Sequence, residues 1–175
     1  WSSPLSRPLD EEVLERFRRY WRRVTSVAGR ARAEETLEIA REGGNRVWLA
    51  VVRPENYEIC VERGLWGVER ATHLIREARP GDLLLFYVTG RKIVRGVWVI
   101  ETGAFESRER VWPDKAYPFR VRIRQLFRGS ADIEELVGRL GFIKDPHRWG
   151  SYLQREMVKL SLEDAETLIS ALKPS

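Results

Sequence analysis

The sequence predicts an α+β fold: a β-barrel flanked by short helices, with a helical N-terminal extension. Three observations lead there. From Val47 onward the chain breaks into short apolar runs of strand length, punctuated by Gly and Pro. The runs differ in length and are interleaved with short helical stretches, without the regular alternation of a doubly wound parallel sheet. Before Gly43-Gly44 the apolar spacing is helical instead, so the double glycine marks a boundary between an extension, residues 1–45, and a main domain, residues 46–175.

Within the extension, Val13, Phe17, Tyr20 or Trp21, and Val24 recur at spacings of three and four among Glu and Arg, which predicts an amphipathic helix over 10–27. Asp10 and Glu11 stand where an N-cap and the positive end of the helix dipole favour acids. A second helix is expected over 33–42. Val47 to Val52 reads as a strand buried on both faces. Arg53-Pro54-Glu55-Asn56 then opens a short helix with Pro in its first turn, closed by Gly64 as a left-handed cap. Another short helix spans about 70–78 and stops at Pro80-Gly81. Strands follow over 83–88, 94–102 and 117–127, the last setting Phe119, Val121 and Ile123 against a wet, basic face of Arg120, Arg122 and Arg124. Helices resume over 132–140 and 161–171, the second opening with the capping-box pattern Ser161-Leu162-Glu163-Asp164.

At 175 residues and 20.5 kDa the chain can hold one well-buried core and an appendage, but not two ordinary enzyme domains. Its apolar runs are far shorter than the ~18 residues of a membrane span, so no membrane partner is expected. No basic stretch followed by an apolar segment stands at the N-terminus, and the lone Cys60 fits a reducing compartment, so a cytoplasmic location is expected. There are 26 Arg against 5 Lys, and Asn and Gln total four. That scarcity of thermolabile side chains points to a thermophilic source. A net charge of +5 is compatible with a polyanionic partner.

Several chemistries are disfavoured. The two histidines, His73 and His147, and the single cysteine are too few for a Cys/His zinc site, so no metal is expected. No Gly-x-x-x-x-Gly-Lys-Ser/Thr loop is present, and no cofactor is expected. The carboxylates lie mostly in helices among arginines, where a solvated face is the ordinary role. A binding protein without catalytic activity is therefore the expectation.

Seven tryptophans sort by context. Trp48 and Trp98 sit in apolar strand runs and read as core. Trp21 reads as the residue that packs the extension helix down. Trp66 and Trp112 fall in segments that read as turns or loops, where a large ring either plugs the end of a barrel or walls a site.

The ordered motifs Val47-Trp48-Leu49, Arg53-Pro54-Glu55-Asn56-Tyr57, Gly64-Leu65-Trp66-Gly67-Val68, Pro80-Gly81-Asp82, Phe86-Tyr87-Val88-Thr89-Gly90, Trp112-Pro113-Asp114, Tyr117-Pro118-Phe119-Arg120-Val121, Phe142-Ile143-Lys144 and Trp149-Gly150 resemble those of the EVE domain over about 46–173. The resemblance implies a PUA-like barrel related to YTH domains, which bind methylated adenine in RNA between aromatic walls. It implies that Trp66 and Trp112 line an aromatic pocket beside Gly67, and that Asn56 reads the edge of a modified base. Tyr87, Thr89 and Trp149 join the candidate lining, and the basic face of Arg120, Arg122 and Arg124, with Lys144, Arg148 and Arg53, supplies the candidate phosphate contacts. The implied partner is RNA or DNA carrying a modified, methylated base, and that base must be single-stranded or flipped to enter. Two other readings stay open: a binder of unmodified structured RNA in which the tryptophans plug the barrel, and an adaptor that associates with itself or another protein through residues 10–27.

Overall fold

A computed structural model describes residues 11–22 and 29–174. Two helices, α1 (Glu11–Trp21) and α2 (Gly29–Glu42), precede β1 (Val47–Val52). Then come α3 (Pro54–Arg63), β2 (Leu65–Val68), α4 (His73–Glu77), β3 (Leu83–Val88), β4 (Ile93–Ile100), β5 (Phe105–Glu106) and β6 (Phe119–Asp132). Turns of 3-10 helix lead to β7 (Met157–Leu160), α5 (Leu162–Ala171) and β8 (Lys173–Pro174). The strands form one mixed, curled half-barrel sheet in the order β2-β6-β4-β3-β1-β7, with β5 and β8 also pairing with β6. Only β1 and β3 among these pairs run parallel.

Alternation across this sheet organises the interior. Leu83, Leu85 and Tyr87 of β3 point to one core, and Leu84, Phe86 and Val88 point to the other. The first core is shared with α1, α2 and α5; the second lies under α3 and holds Trp48, Trp66, Trp98 and Trp112. Both faces of β1 and β3 are thus dry, which is why these strands are apolar without alternation. Trp48 and Trp98 are core residues as expected.

The described part of the extension helix is spent inside its own chain. Leu14, Phe17, Tyr20 and Trp21 are buried, and the Trp21 ring lies 4.7 Å from Phe127. Buried Arg32 places its guanidinium 4.7 Å from the Phe127 centroid and donates to the carbonyls of Ile169 and Leu172 at the end of α5. The face expected to serve a partner is the one occupied. Val24 lies outside the described residues.

Sequence and structure part at several elements. Leu65–Val68 is a strand, where a loop was expected: Gly64, in the left-handed region, ends α3, and the next four residues pair with β6. Four residues with a central glycine carry too little periodicity to announce a strand. Residues 132–140 form two single 3-10 turns, Ile133–Glu135 and Val137–Arg139, instead of one helix. β6 runs on to Asp132, and β5, β7 and β8 are too short to be read from pattern. The capping at Ser161 is as expected, its hydroxyl accepting from the Asp164 N–H. No helix among the described residues is long and apolar enough to cross a membrane.

One carboxylate pins the start of the sheet. Asp82 is fully buried; its Oδ1 accepts from Asn45 Nδ2 at 3.1 Å and the Arg46 N–H at 3.0 Å, and its Oδ2 from Trp48 Nε1 and the Arg79 N–H, both at 2.9 Å. Each oxygen takes two donors, so an amide in its place turns a donor toward two donors. Asp82→Ala is expected to lower unfolding free energy by about 3–5 kcal/mol, and Asp82→Asn by nearly as much. Urea denaturation checks this; a loss under about 1 kcal/mol for the asparagine variant would contradict the role given to the carboxylate.

Candidate functional site

Helix α3 begins directly at the end of β1. Arg53 is its N-cap in extended geometry, and Pro54 starts the first turn. This brings Asn56, only 4% exposed, under the segment that joins β5 to β6. Asn56 Nδ2 donates to Asp114 Oδ1 at 2.9 Å, and the Tyr117 hydroxyl donates to Asp114 Oδ2 at 2.6 Å. Arg53 Nη1 stands 3.6 Å from the same carboxylate. Burial works against the charge on Asp114, but the hydrogen bonds from Tyr117 and Asn56 outweigh it and hold the carboxyl below its ordinary range. Burial and the neighbouring Asp114 push the Tyr117 phenol well up, so it remains a donor. Tyr117 also sits at φ 44°, a left-handed conformation uncommon outside glycine and one that collects at binding sites.

Trp66 and Trp112 both belong to the second core. Trp66 is 4% exposed, meets Phe86 edge-on at 5.8 Å, and has its indole N–H buried without a hydrogen-bond partner. An orphaned buried donor costs about 1–3 kcal/mol, and the indole N–H of Trp21 in the first core is orphaned in the same way. Trp112 is 2% exposed, with the Arg120 guanidinium 5.1 Å from its ring centroid and Tyr117 edge-on at 5.5 Å. It also hydrogen-bonds the Cys60 thiol, which burial pushes up to about 12. The Trp112 ring rests on Gly67: a Cβ there would stand 3.0 Å from Cη2 and Cζ3, and 2.8 Å from the Tyr117 carbonyl. Glycine is what permits that approach. Because successive side chains leave a strand on opposite faces, Trp66 departs from the other side of β2, toward Phe86. The two indoles therefore flank β2 in this closed arrangement and do not stack as facing walls.

Arg120 departs from expectation. It is 1% exposed, not on a wet face: its Nε donates to the Tyr117 carbonyl at 3.0 Å and its Nη2 to the Ala116 carbonyl at 3.1 Å. Arg122 and Arg124 on the same strand face remain exposed, because the 109–117 segment folds over Arg120 alone. Arg120 fastens the loop that carries Trp112, Asp114 and Tyr117. Its guanidinium is unavailable to a phosphate while those bonds hold.

The remaining candidates divide. Arg53 is exposed, and half-buried Thr89 lies beside it, its N–H bonded to the Val52 carbonyl at 2.9 Å. Tyr87, however, faces the first core, edge-on to Trp149 at 6.4 Å, with exposed Lys144 and Arg148 near Trp149 in the chain. Alternation along β3 puts Tyr87 and Trp149 on the helical side of the sheet, away from Asn56 and Trp66. Sequence reasoning quoted Asp114 and Tyr117 inside motifs without assigning them a task. Their spacing of three, which lets a tyrosine hydroxyl return to a carboxylate, was the available signal. Among the described residues no cluster of side chains could hold a metal ion.

Comparison with known proteins places this geometry. A UPF0310 protein of Pyrococcus abyssi is 27% identical over 138 residues, spanning 71% of this chain and 97% of the relative. One of Saccharolobus solfataricus is 23% identical over 146 residues, spanning 73% and 95%. Among solved structures, the Pho92 YTH domain in complex with m6A superposes with a TM-score of 0.55 at 14% identity, covering 75% of this chain and 87% of that one. A protein of Agrobacterium tumefaciens gives 0.53 at 16% identity, covering 73% and 94%. These likenesses show a shared fold. Residues 46–171 match the EVE domain, and the chain belongs to the EVE domain family.

Proposed function

We propose that this protein binds nucleic acid without catalysis and receives one base, single-stranded or flipped out, at the end of the barrel where α3, β2 and residues 112–117 meet. A modified, methylated base is the preferred guest. The observations that carry the reading are the Asn56–Asp114–Tyr117 network and, in the core that α3 covers, the unpartnered indole N–H of Trp66. An amide held in place reads a base edge, an indole covers a base face, and a buried free donor seeks a base acceptor. The YTH relatives by fold, one described in complex with m6A and another with RNA, support a nucleic-acid partner.

Selectivity for a methyl group needs shape. Burying one methyl contributes about 0.8 kcal/mol, so a large preference requires a dry pocket that leaves a void or an unpaired group around the unmodified base. With Trp66 and Trp112 at 4% and 2% exposure, the guest must enter by swinging indole side chains aside, while Arg120 holds the backbone of the 109–117 segment through its carbonyls and Asp114 keeps its grip on Asn56. The same closure favours a second reading, in which the two indoles are barrel plugs and the protein binds unmodified structured RNA.

Substitution separates the two. Asn56→Ala is expected to weaken binding of a short single strand carrying the preferred modified base by about 5–30-fold, the equivalent of ~1–2 kcal/mol, while the fold persists. Trp66→Phe, which keeps an aromatic ring and removes the donor, is expected to weaken it by a similar factor. Fluorescence anisotropy against modified and unmodified strands checks both; equal affinity for the two strands in the wild type, unmoved by either variant, would leave the plug reading standing.

Acidity gives an independent check. Because Asp114 is held below the usual carboxylate range, its grip on Asn56 is present at neutral pH and is lost only as pH falls through that lowered value. Affinity measured at constant ionic strength is therefore expected to stay flat down to about pH 4, the ordinary carboxylate midpoint. A fall in affinity centred on the ordinary carboxylate range or above it, with the fold intact, would contradict the role of Asp114.

A further inference from the structure

A concavity lies between α3 and the β4–β6 ribbon. Its volume is about 60 Å³, several times the ~10–15 Å³ that one water needs. Tyr57 and Glu58 line it from the helix, and Arg95, Gly96, Gln125 and Arg128 from the strands.

The cavity exists because the ladder breaks there. Arg95 pairs with Ser130 and Val97 with Phe127, so Gly96 alone opposes Arg128 and Gly129, and a second shift follows between Val97 and Trp98. Bulges of this kind bend a strand and re-aim its side chains. Gly96 sits at φ 64°, and a Cβ would run into the Trp98 ring.

The chemistry gathered there is that of an anion site. The Arg95 guanidinium lies 5.0 Å from the Tyr57 ring centroid, a cation–π contact that fixes its position. Among the described residues neither Arg95 nor Arg128 forms an ion pair, with Glu58 or with any other carboxylate. Two guanidinium groups lining one cavity without an ion-pair partner make it electropositive, and an oxyanion is the ligand that this favours. Guanidinium forks match tetrahedral oxyanions, and the Tyr57 hydroxyl and the Gln125 amide add neutral donors. Glu58 opposes an anion and stands as the one negative group in the lining.

We propose that this cavity is a phosphate-binding subsite, in which Arg95 and Arg128 grip the oxyanion and Tyr57 and Gln125 donate to it. The phosphate belongs either to a nucleic-acid strand or to a small phosphorylated molecule. The proposal stands apart from the base site, since no part of it needs a base to be bound.

Inorganic phosphate is the probe. Titrated into the full chain at constant ionic strength and followed by phosphorus NMR line broadening, it is expected to bind saturably. Arg95→Gln/Arg128→Gln should weaken that binding at least tenfold, with an unchanged thermal midpoint. Tyr57→Phe, which keeps the ring under Arg95, should weaken it severalfold and guards against a folding artefact in the double variant. Wild-type binding no stronger than that of the double variant overturns the proposal. The source follows from an unmodified single-stranded oligonucleotide: a salt-dependence slope lower by about 0.7 in the double variant assigns the phosphate to the strand. An unchanged slope, with phosphate binding intact in the wild type, assigns it to a small phosphorylated molecule.

Discussion

Both faces of the central strands are dry, and this constraint governs everything else in the molecule. Side chains of β1, β3 and β4 alternate between two cores, so each position in the sheet is committed to one side by its parity. The first core needs a cover, which α1, α2 and α5 supply together. The second is closed by α3 and by the segment carrying Trp112. Asp82, gathering four donors at the start of β1 and β3, sets the register from which that parity is counted.

Parity also decides which functional candidates meet. Asn56, Gly67, Trp112, Asp114 and Tyr117 meet beside the second core, with Trp66 leaving β2 on the other side toward Phe86. Tyr87 and Trp149 fall on the other side of the sheet, although the motifs that contain them lie close to the rest in sequence. Within the convergent group the dominant interaction is the shared carboxylate of Asp114. It fixes the amide of Asn56, holds the phenol of Tyr117 and draws the exposed Arg53 toward the mouth. Arg120 then sets the position of the loop from beneath, through carbonyls and through the Trp112 face.

Much of this was legible in the sequence, and what was not has physical causes. The strand Val47–Val52 and the helix from Pro54 to its Gly64 cap were readable because apolar runs, an early proline and a closing glycine act locally. Trp48 and Trp98 were readable as core from their neighbours. Arg120 was not: its alternation with Phe119 and Val121 is that of a solvated arginine, and only the folding of the preceding 109–117 segment over it buries it. Leu65–Val68 was missed as a strand because its partner, β6, lies more than fifty residues away. The separation of Tyr87 from Asn56 follows from sheet parity, which a linear motif does not display. The fate of the extension helix was half visible: its amphipathic face was plain, but a free apolar stripe and one spent on the first core have the same sequence.

The indole N–H of Trp66 is buried without an acceptor in the core that α3 covers. Nitrogen-15 NMR of the indole region, with the Trp66 signal assigned from Trp66→Phe, follows that proton directly as a modified single strand is added. A saturable downfield shift of the Trp66 indole proton, at the same midpoint as overall binding, is what the account requires. Tight binding that moves other indoles, such as Trp149, and leaves Trp66 untouched would contradict it.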